Sequence, residues 1–302
     1  MKSESNFFSY RKLAMSMTRI YRHSLQILSL AITIATAGIA NAGNLDDSTT
    51  EVVLASNVQW QPLNPARGDK GPKAGTLWGN QTTDTSSGFL VKFLDGFSSP
   101  PHIHNITYRG VVVSGALFND DPKAEPMWMP VGSYWMQPKG EVHITAARGA
   151  SVAFLEIQSG PYLVKPPAES FDSDERPVNI DASNMVWLDA DATPWIKEST
   201  DNTPNNSPQL SFLWGNTDES EVNASLLKLP AGFHGTISDD STLRVVVIQG
   251  ELDLQLRDSR GSQSLTAGSY FGSQSNASHE IHTTNGCLVY VRNKGAYEVA
   301  TR

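Results

Sequence analysis

Apolar positions along this chain come in short runs. Residues 89–93, 111–118, 152–157, 226–229, 245–256 and 288–291 are rich in β-branched, leucine and aromatic side chains, and Gly, Pro, Asn or Asp flanks them. Such residues fit a pleated, half-buried surface, and the flanking ones are those that tight turns need. Beyond residue 42 no stretch keeps a 3.6-residue apolar period long enough for a major helix. The pattern predicts an all-β protein, and its many short strands with regular turn signals predict a sandwich or jelly roll.

The pattern is also written twice. Leu77-Trp78-Gly79-Asn80 recurs 136 residues later as Leu213-Trp214-Gly215-Asn216, and Gly132-Ser133-Tyr134 recurs at the same offset as Gly268-Ser269-Tyr270. The run opening at Arg109 returns at Arg244, and Gly160-Pro161-Tyr162 answers to Gly295-Ala296-Tyr297, both 135 residues on. Ordered anchors at a nearly constant offset indicate a tandem duplication. The Pro-, Ser- and Asp-rich residues 166–177 are the natural junction, and residues 199–208 read as a polar loop inside the second copy.

The first 42 residues stand apart. Arg19 and Arg22 precede an apolar run over residues 25–39, and Ala40-Asn41-Ala42 supplies small side chains at a cleavage point. Basic, then apolar, then A-x-A is the order of a secretory signal, and the run is too short and too rich in Ala and Thr for a membrane anchor. A mature chain beginning near Gly43, periplasmic or secreted and without a stable membrane anchor, is expected. The whole chain carries a formal charge of -8; residues 1–42 hold five basic groups and one acid, so the remainder carries -12. That balance argues against a nucleic-acid partner held through phosphates. One cysteine, Cys287, excludes an intrachain disulfide and any CxxC motif. There is no G-x-S-x-G, phosphate-binding glycine loop or H-E-x-x-H.

Candidate chemistry begins at Gly96, in GFSSPPHIHNITY. On a strand, residues i and i+2 share a face, so His102 and His104 would point the same way, close enough to grip one ion. Gly96, His102, His104, Tyr108 and Gly115 fall at the spacings of a G-x5-H-x-H-x3-E-x6-G motif, with Tyr108 where the glutamate belongs. Gly132, Pro138, Gly140 and His143 fall at those of G-x5-P-x-G-x2-H-x3-N, with Ala147 in place of the Asn. These are the two motifs of cupins, and eight of their ten specified positions agree. The chain resembles a bicupin, and most resembles the uncharacterised two-cupin family called domain of unknown function 4437.

The resemblance implies two tandem cupin barrels (double-stranded β-helix, or jelly roll) over residues 43–170 and 179–302, following the signal at 1–42. It also implies a metal site of His102, His104 and His143. In a barrel, inward side chains from different strands converge, so three such residues can meet. Three neutral imidazoles with an open position suit Zn²⁺, Fe²⁺, Mn²⁺, Ni²⁺ or Cu²⁺. With no carboxylate ligand the ion would keep its charge and favour an anionic fourth ligand. Tyr108 would either hydrogen-bond that anion, making it the candidate catalytic group, or merely fill the glutamate's space. Glu141 lies inside the second motif. Glu156, in the run Phe154-Leu155-Glu156-Ile157, stands either on an outward face or behind a histidine as its orienting partner; an outward face is the expectation. Trp128, Tyr134 and Trp135 are candidates for a ligand pocket or for core.

In the second copy the same count from Gly232 puts Ser238 and Asp240 at the H-x-H positions and the glutamate's position near Leu243, while His279 sits where His143 stands. That is a poor metal site, even with His234 and His282 nearby, and a structural partner or lid is expected. Two kinds of function remain open. One is a metal-dependent small-molecule enzyme, such as a dioxygenase, an isomerase or a hydrolase. The other is a non-catalytic module that binds a metal or small ligand for sensing or storage. Either fits a monomer or homodimer.

Overall fold

A computed structural model describes residues 50–197, 207–218, 220–256, 261–274 and 276–302. The export signal expected over residues 1–42, and most of the polar loop expected over 199–208, lie outside them. Among the described residues the helical segments are 3-10 turns only, such as Pro65–Lys70 and Ala182–Asn184. None is long and apolar enough to cross a membrane.

The C-terminal half is built on an eleven-stranded hydrogen-bonded sheet, ten of whose strands it supplies, the eleventh being Glu51–Val53. Its long strand Thr242–Gln255 pairs with Cys287–Lys294 and Tyr270–Gln274 along one part of its length, and with Ser262–Thr266 and Ala277–Thr283 along others. This shared strand bends the sheet into a mostly closed cupin-like barrel. Ile237, Val247, Leu252, Leu265, Phe271 and Val289 fill it.

The N-terminal half is built differently, and the expectation of two tandem cupin barrels is corrected here. Its main element is an open seven-stranded sheet ordered Val178–Ile180, Tyr134–Gln137, Tyr108–Asp120, Ile144–Ile157, Ser87–Phe93, Lys73–Trp78 and Trp60–Pro62. A separate two-stranded pair, Ile103–His104 with Val164–Lys165, faces it without joining the ladder. The reason lies in Ser98-Ser99-Pro100-Pro101. Two successive prolines offer no N–H and fix φ, so this segment cannot run as a paired strand. Only scattered links remain: isolated bridges Ser98↔Ala146 and His102↔His143, with Ser99 N donating to the Thr145 carbonyl at 2.9 Å. In the C-terminal half the matching segment is the regular strand Phe233–Asp239, paired along its whole length with Ala277–Thr283.

The halves are interlocked. Glu51–Val53 pairs with Tyr270–Gln274 of the C-terminal half, and Val178–Ile180 pairs with Tyr134–Gln137 of the N-terminal half. Repeated groups make matching contacts: Ala55 N donates to Ser269 Oγ and Ala182 N to Ser133 Oγ, both at 3.0 Å. One apolar core runs between the halves, joining Trp78, Leu90 and Phe154 to Leu226, Val246 and Tyr290. Arg109 stacks over Trp214 and Arg244 over Trp78, 4.1 and 5.3 Å from the ring centres.

Glu156 lies within this junction. It is 1% exposed, so it does not stand on an outward face, nor does it touch a histidine. Its carboxylate accepts from Arg292 Nε at 2.7 Å and from Tyr290 Oη at 2.6 Å. Arg292 occupies in the second copy the place that Glu156 has in the first, 136 residues earlier. One repeated position has thus become the two ends of a buried ion pair.

Candidate metal centre

His102 and His143 face each other across the isolated bridge, each backbone N–H donating to the other's carbonyl at 3.0 Å. His104 sits two residues along on the Ile103–His104 strand and so shares a face with His102. The three rings converge: centroid separations are 4.3 Å (His102 to His143), 5.1 Å (His102 to His104) and 5.3 Å (His104 to His143). One nitrogen of each lies within 4.8 Å of the others. His104 and His143 are buried, and His102 is partly exposed at the rim. Among the described residues no other group of three His, Cys, Asp or Glu side chains comes together in this way.

Backbone carbonyls set the tautomers. His102 Nδ1 lies 2.9 Å from the Pro100 carbonyl, and His143 Nδ1 lies 3.1 Å from that of Glu141. A carbonyl only accepts, so each Nδ1 carries the proton and each Nε2 keeps its lone pair for the cluster. This is the arrangement that ligating histidines use. Glu141 therefore serves through its backbone, not its carboxylate. Burial pushes the His143 pKa down to about 3, with the charge of His102 adding to the effect. Burial first, and then the neighbouring His143 and His102, hold His104 well below the ordinary imidazole value; burial also lowers His102. All three rings are neutral at physiological pH, as ligands must be. The cluster is consistent with coordination of a divalent transition metal, whose identity the ligand set leaves open.

Tyr108, on the Tyr108–Asp120 strand, is buried and turns its hydroxyl into the site. Its proton has two acceptors in reach, Asn119 Oδ1 at 2.9 Å and His143 Nε2 at 3.2 Å. Asn119 is held in turn: its Nδ2 donates to Gln137 Oε1 at 2.9 Å, and its Oδ1 also accepts from Thr145 Oγ1 at 2.8 Å. Were an ion to take the His143 nitrogen, the phenol would donate to Asn119 Oδ1. Burial raises the Tyr108 pKa far above the usual phenol range, so the hydroxyl stays protonated.

The sequence reading missed a second phenol. Tyr162 stacks on His104, centroids 4.2 Å apart and planes 18° from parallel, with its hydroxyl 3.2 Å from His104 Nε2. Asn105 fixes that segment, its Nδ2 donating to the Pro161 carbonyl and its Oδ1 accepting from Leu163 N. A signal did exist: Tyr162 is one of the repeat anchors, answered by the buried Tyr297.

Over the histidines opens a cavity with room of about 130 Å³ for the centres of water-sized molecules. Phe93, Phe97, Val91, Leu155 and Trp135 give it apolar walls, and Arg67 and Asn64 stand among the residues that line it. Of the three aromatics named from sequence, Trp135 lines this space. Trp128 packs instead on Phe118 and under Arg148, and Tyr134 belongs to the core between the halves.

In the C-terminal half the strand register corrects the sequence count by one. Ile237 lies opposite His279, as His102 lies opposite His143, so Ile237 and Asp239 take the H-x-H places, not Ser238 and Asp240. His279 Nε2 lies 2.9 Å from Ser273 Oγ. His234 and His282 sit half exposed on adjacent strands beside Glu280 and Asp253, apart from His279, and assemble no ligand cluster.

Comparisons with known proteins agree with the architecture. No curated protein matches the chain. Among solved structures, a candidate dioxygenase from Nostoc punctiforme PCC 73102 superposes with TM-score 0.59 at 17% identity, covering 81% of this chain and 82% of that one. Quercetin 2,3-dioxygenase from Acinetobacter baumannii gives 0.52 at 10% identity, with 83% and 80% covered. The oxalate decarboxylase of Lactobacillus farciminis, as its formate complex, gives 0.51 at 10% identity, with 83% and 88% covered. At such identities the likeness speaks for the fold alone, which is that of the cupin superfamily. The model of one family, Domain of unknown function (DUF4437), matches residues 51–300, and the chain belongs to that family.

Proposed function

We propose that this chain is an exported metalloprotein which binds one divalent transition metal through His102, His104 and His143 and uses it on a small organic molecule, as a dioxygenase-type oxidoreductase. One observation carries the reading: three neutral imidazoles, His104 and His143 of them buried, bring one nitrogen each within 4.8 Å of the others, and His102 and His104 line an apolar cavity. Structural histidines spend their ring nitrogens on hydrogen bonds, whereas these turn one nitrogen each toward a shared point. A metal bound there would supply Lewis acidity and, if redox-active, a route for electrons.

The chain's own groups have clear tasks. Pro100 and Glu141 carbonyls hold two rings by their Nδ1–H groups, and Tyr162 fixes the plane of the third. Tyr162, whose hydroxyl lies 3.2 Å from His104 Nε2, would be free to donate to an oxygen-bearing ligand once an ion takes that nitrogen, while Tyr108 keeps its proton on Asn119 Oδ1; the apolar walls exclude bulk water. The two dioxygenase names among the similar structures favour the oxidoreductase reading over hydrolysis.

Metal content of purified protein is the test. Wild type should carry about one equivalent, as a single three-histidine site holds. His143→Ala should lose most of it, since two imidazoles remain, while His279→Ala should keep it. Folded His143→Ala protein that retains its metal would overturn the assignment, as would equal loss from both variants.

A further inference from the structure

We infer that the cavity selects a small organic oxyanion, a carboxylate or enolate on an apolar body, and that Arg67 is the residue that distinguishes it from its neutral analogue. The inference rests on the metal-binding reading above and names the ligand class of that site. It starts from charge. Among the described residues that line the cavity there is no Asp or Glu. A divalent ion held by neutral imidazoles keeps its full charge, because no protein carboxylate shares it.

Arg67 adds one more positive charge. It belongs to the 3-10 segment Pro65–Lys70 and lines the same cavity as His102 and His104. Among the described residues no carboxylate pairs with it. Asp69 on the same turn is taken by Lys73, whose Nζ lies 2.9 Å from its Oδ1. A ligand with one anionic oxygen group satisfies both charges, and its apolar body meets Phe93, Phe97 and Leu155. A neutral ligand would gain nothing from the arginine's charge, and a small hydrophilic anion would gain nothing from the aromatic walls. Arg67 is solvent-exposed, so its effect is moderate and weakened by salt.

The test uses zinc-loaded full chain and three probes in isothermal titration calorimetry: benzoate, its neutral isostere benzamide, and acetate. Wild type should bind benzoate more tightly than either of the others. Arg67→Gln should weaken benzoate roughly five- to tenfold, as loss of a screened, charge-assisted contact does. It should leave benzamide affinity and zinc content unchanged, and Arg67→Lys should restore part of the benzoate affinity. Protein that holds zinc but binds benzamide as well as benzoate, or whose Arg67→Gln variant binds benzoate undiminished, would overturn this inference and leave the metal assignment standing. Protein that takes no zinc or other divalent metal would overturn both.

Discussion

Replacing Arg292 with methionine removes the cation that pairs with Glu156 at the junction between the halves. Glu156 would keep Tyr290 Oη and Gln158 Nε2 as donors, but its carboxylate is 1% exposed and would lose the cation it pairs with directly. Breaking a buried pair from one side costs about 3–5 kcal/mol, because the stranded charge keeps its desolvation penalty. A protein of this size has about 5–15 kcal/mol to lose. At about 2–4 °C per kcal/mol, the melting temperature should fall by roughly 6–20 °C. Converting Glu156 to glutamine in the same chain should return most of the loss, since an amide oxygen can accept from Tyr290 and methionine fills apolar space. Glu156→Gln alone should cost less than Arg292→Met, because the arginine side chain, 10% exposed, can shift toward water. Urea unfolding followed by tryptophan fluorescence is well placed to read this, since Trp214 Nε1 donates to Tyr290 Oη at 3.0 Å. An Arg292→Met variant within about 1 kcal/mol of wild type, with no rescue by the second substitution, would show that the pair holds nothing together.

Three further outcomes are expected. Burial pushes the Cys287 thiol up to about 12, so between its unfolded pKa and that value the folded chain binds the extra proton. Stability should then fall as pH rises above about 9, by up to about 1.4 kcal/mol per unit from this group, and Cys287→Ala should lose that part of the slope in urea titrations at pH 8 to 11. Tyr108→Phe removes a hydroxyl but leaves Asn119 Oδ1 its bond from Thr145, so the variant should lose about 1 kcal/mol and keep its metal, as thermal melts and elemental analysis would check. A Cβ on Gly110 would stand 2.2 Å from the Trp135 ring, so Gly110→Ala should destabilise by about 1–3 kcal/mol and weaken ligand binding through the displaced indole, measurable by melting and calorimetry.

The ligand cluster was legible because its spacing is a consequence of backbone geometry. H-x-H puts two rings on one face whatever the rest of the strand does, and the Gly132-to-His143 spacing carries the third ring back from a turn. Tyr162 and Arg67 were not legible as site residues, since one comes from a segment past the long strand Ile144–Ile157 and the other from a 3-10 turn with no motif. Glu156 was misplaced for a different reason. Leu155 and Ile157 face the N-terminal core, while Phe154 and Glu156 face the junction, so the strand is buried on both sides. An unbroken apolar run is the mark of such a strand, and a carboxylate within it needs a partner. Nothing local to it could say that the partner lies 136 residues away. In the second copy the offset between repeats changes from 136 to 135 across one turn, and a one-residue slip exchanges the two faces of a strand. Counting from Gly232 therefore selected Ser238 and Asp240, while pairing with Ala277–Thr283 selects Ile237 and Asp239.

Two barrels were expected because both copies carry the same strand-and-turn rhythm, and closure depends on something the rhythm hides. In the C-terminal half Gly235 and Thr236 pair with Ile281 and Glu280, the ladder continues, and Ile237 fills the place that would face a ligand. In the N-terminal half Pro100 and Pro101 stand at the equivalent positions and the ladder fails there. The gap lies directly before His102, and the cavity lined by Ser99 and Pro100 opens onto the histidines. Loss of closure and presence of the site are thus two results of the same short segment. The prolines forgo backbone pairing that the other half keeps, and the space left is where a ligand can reach the imidazoles. Duplication supplied two frames, of which one kept its ladder and lost its ligands while the other kept its ligands at an interrupted edge. The closed half is joined to the open one through exchanged strands and the Glu156–Arg292 pair, whose glutamate lies on the strand that also carries Leu155 of the cavity wall.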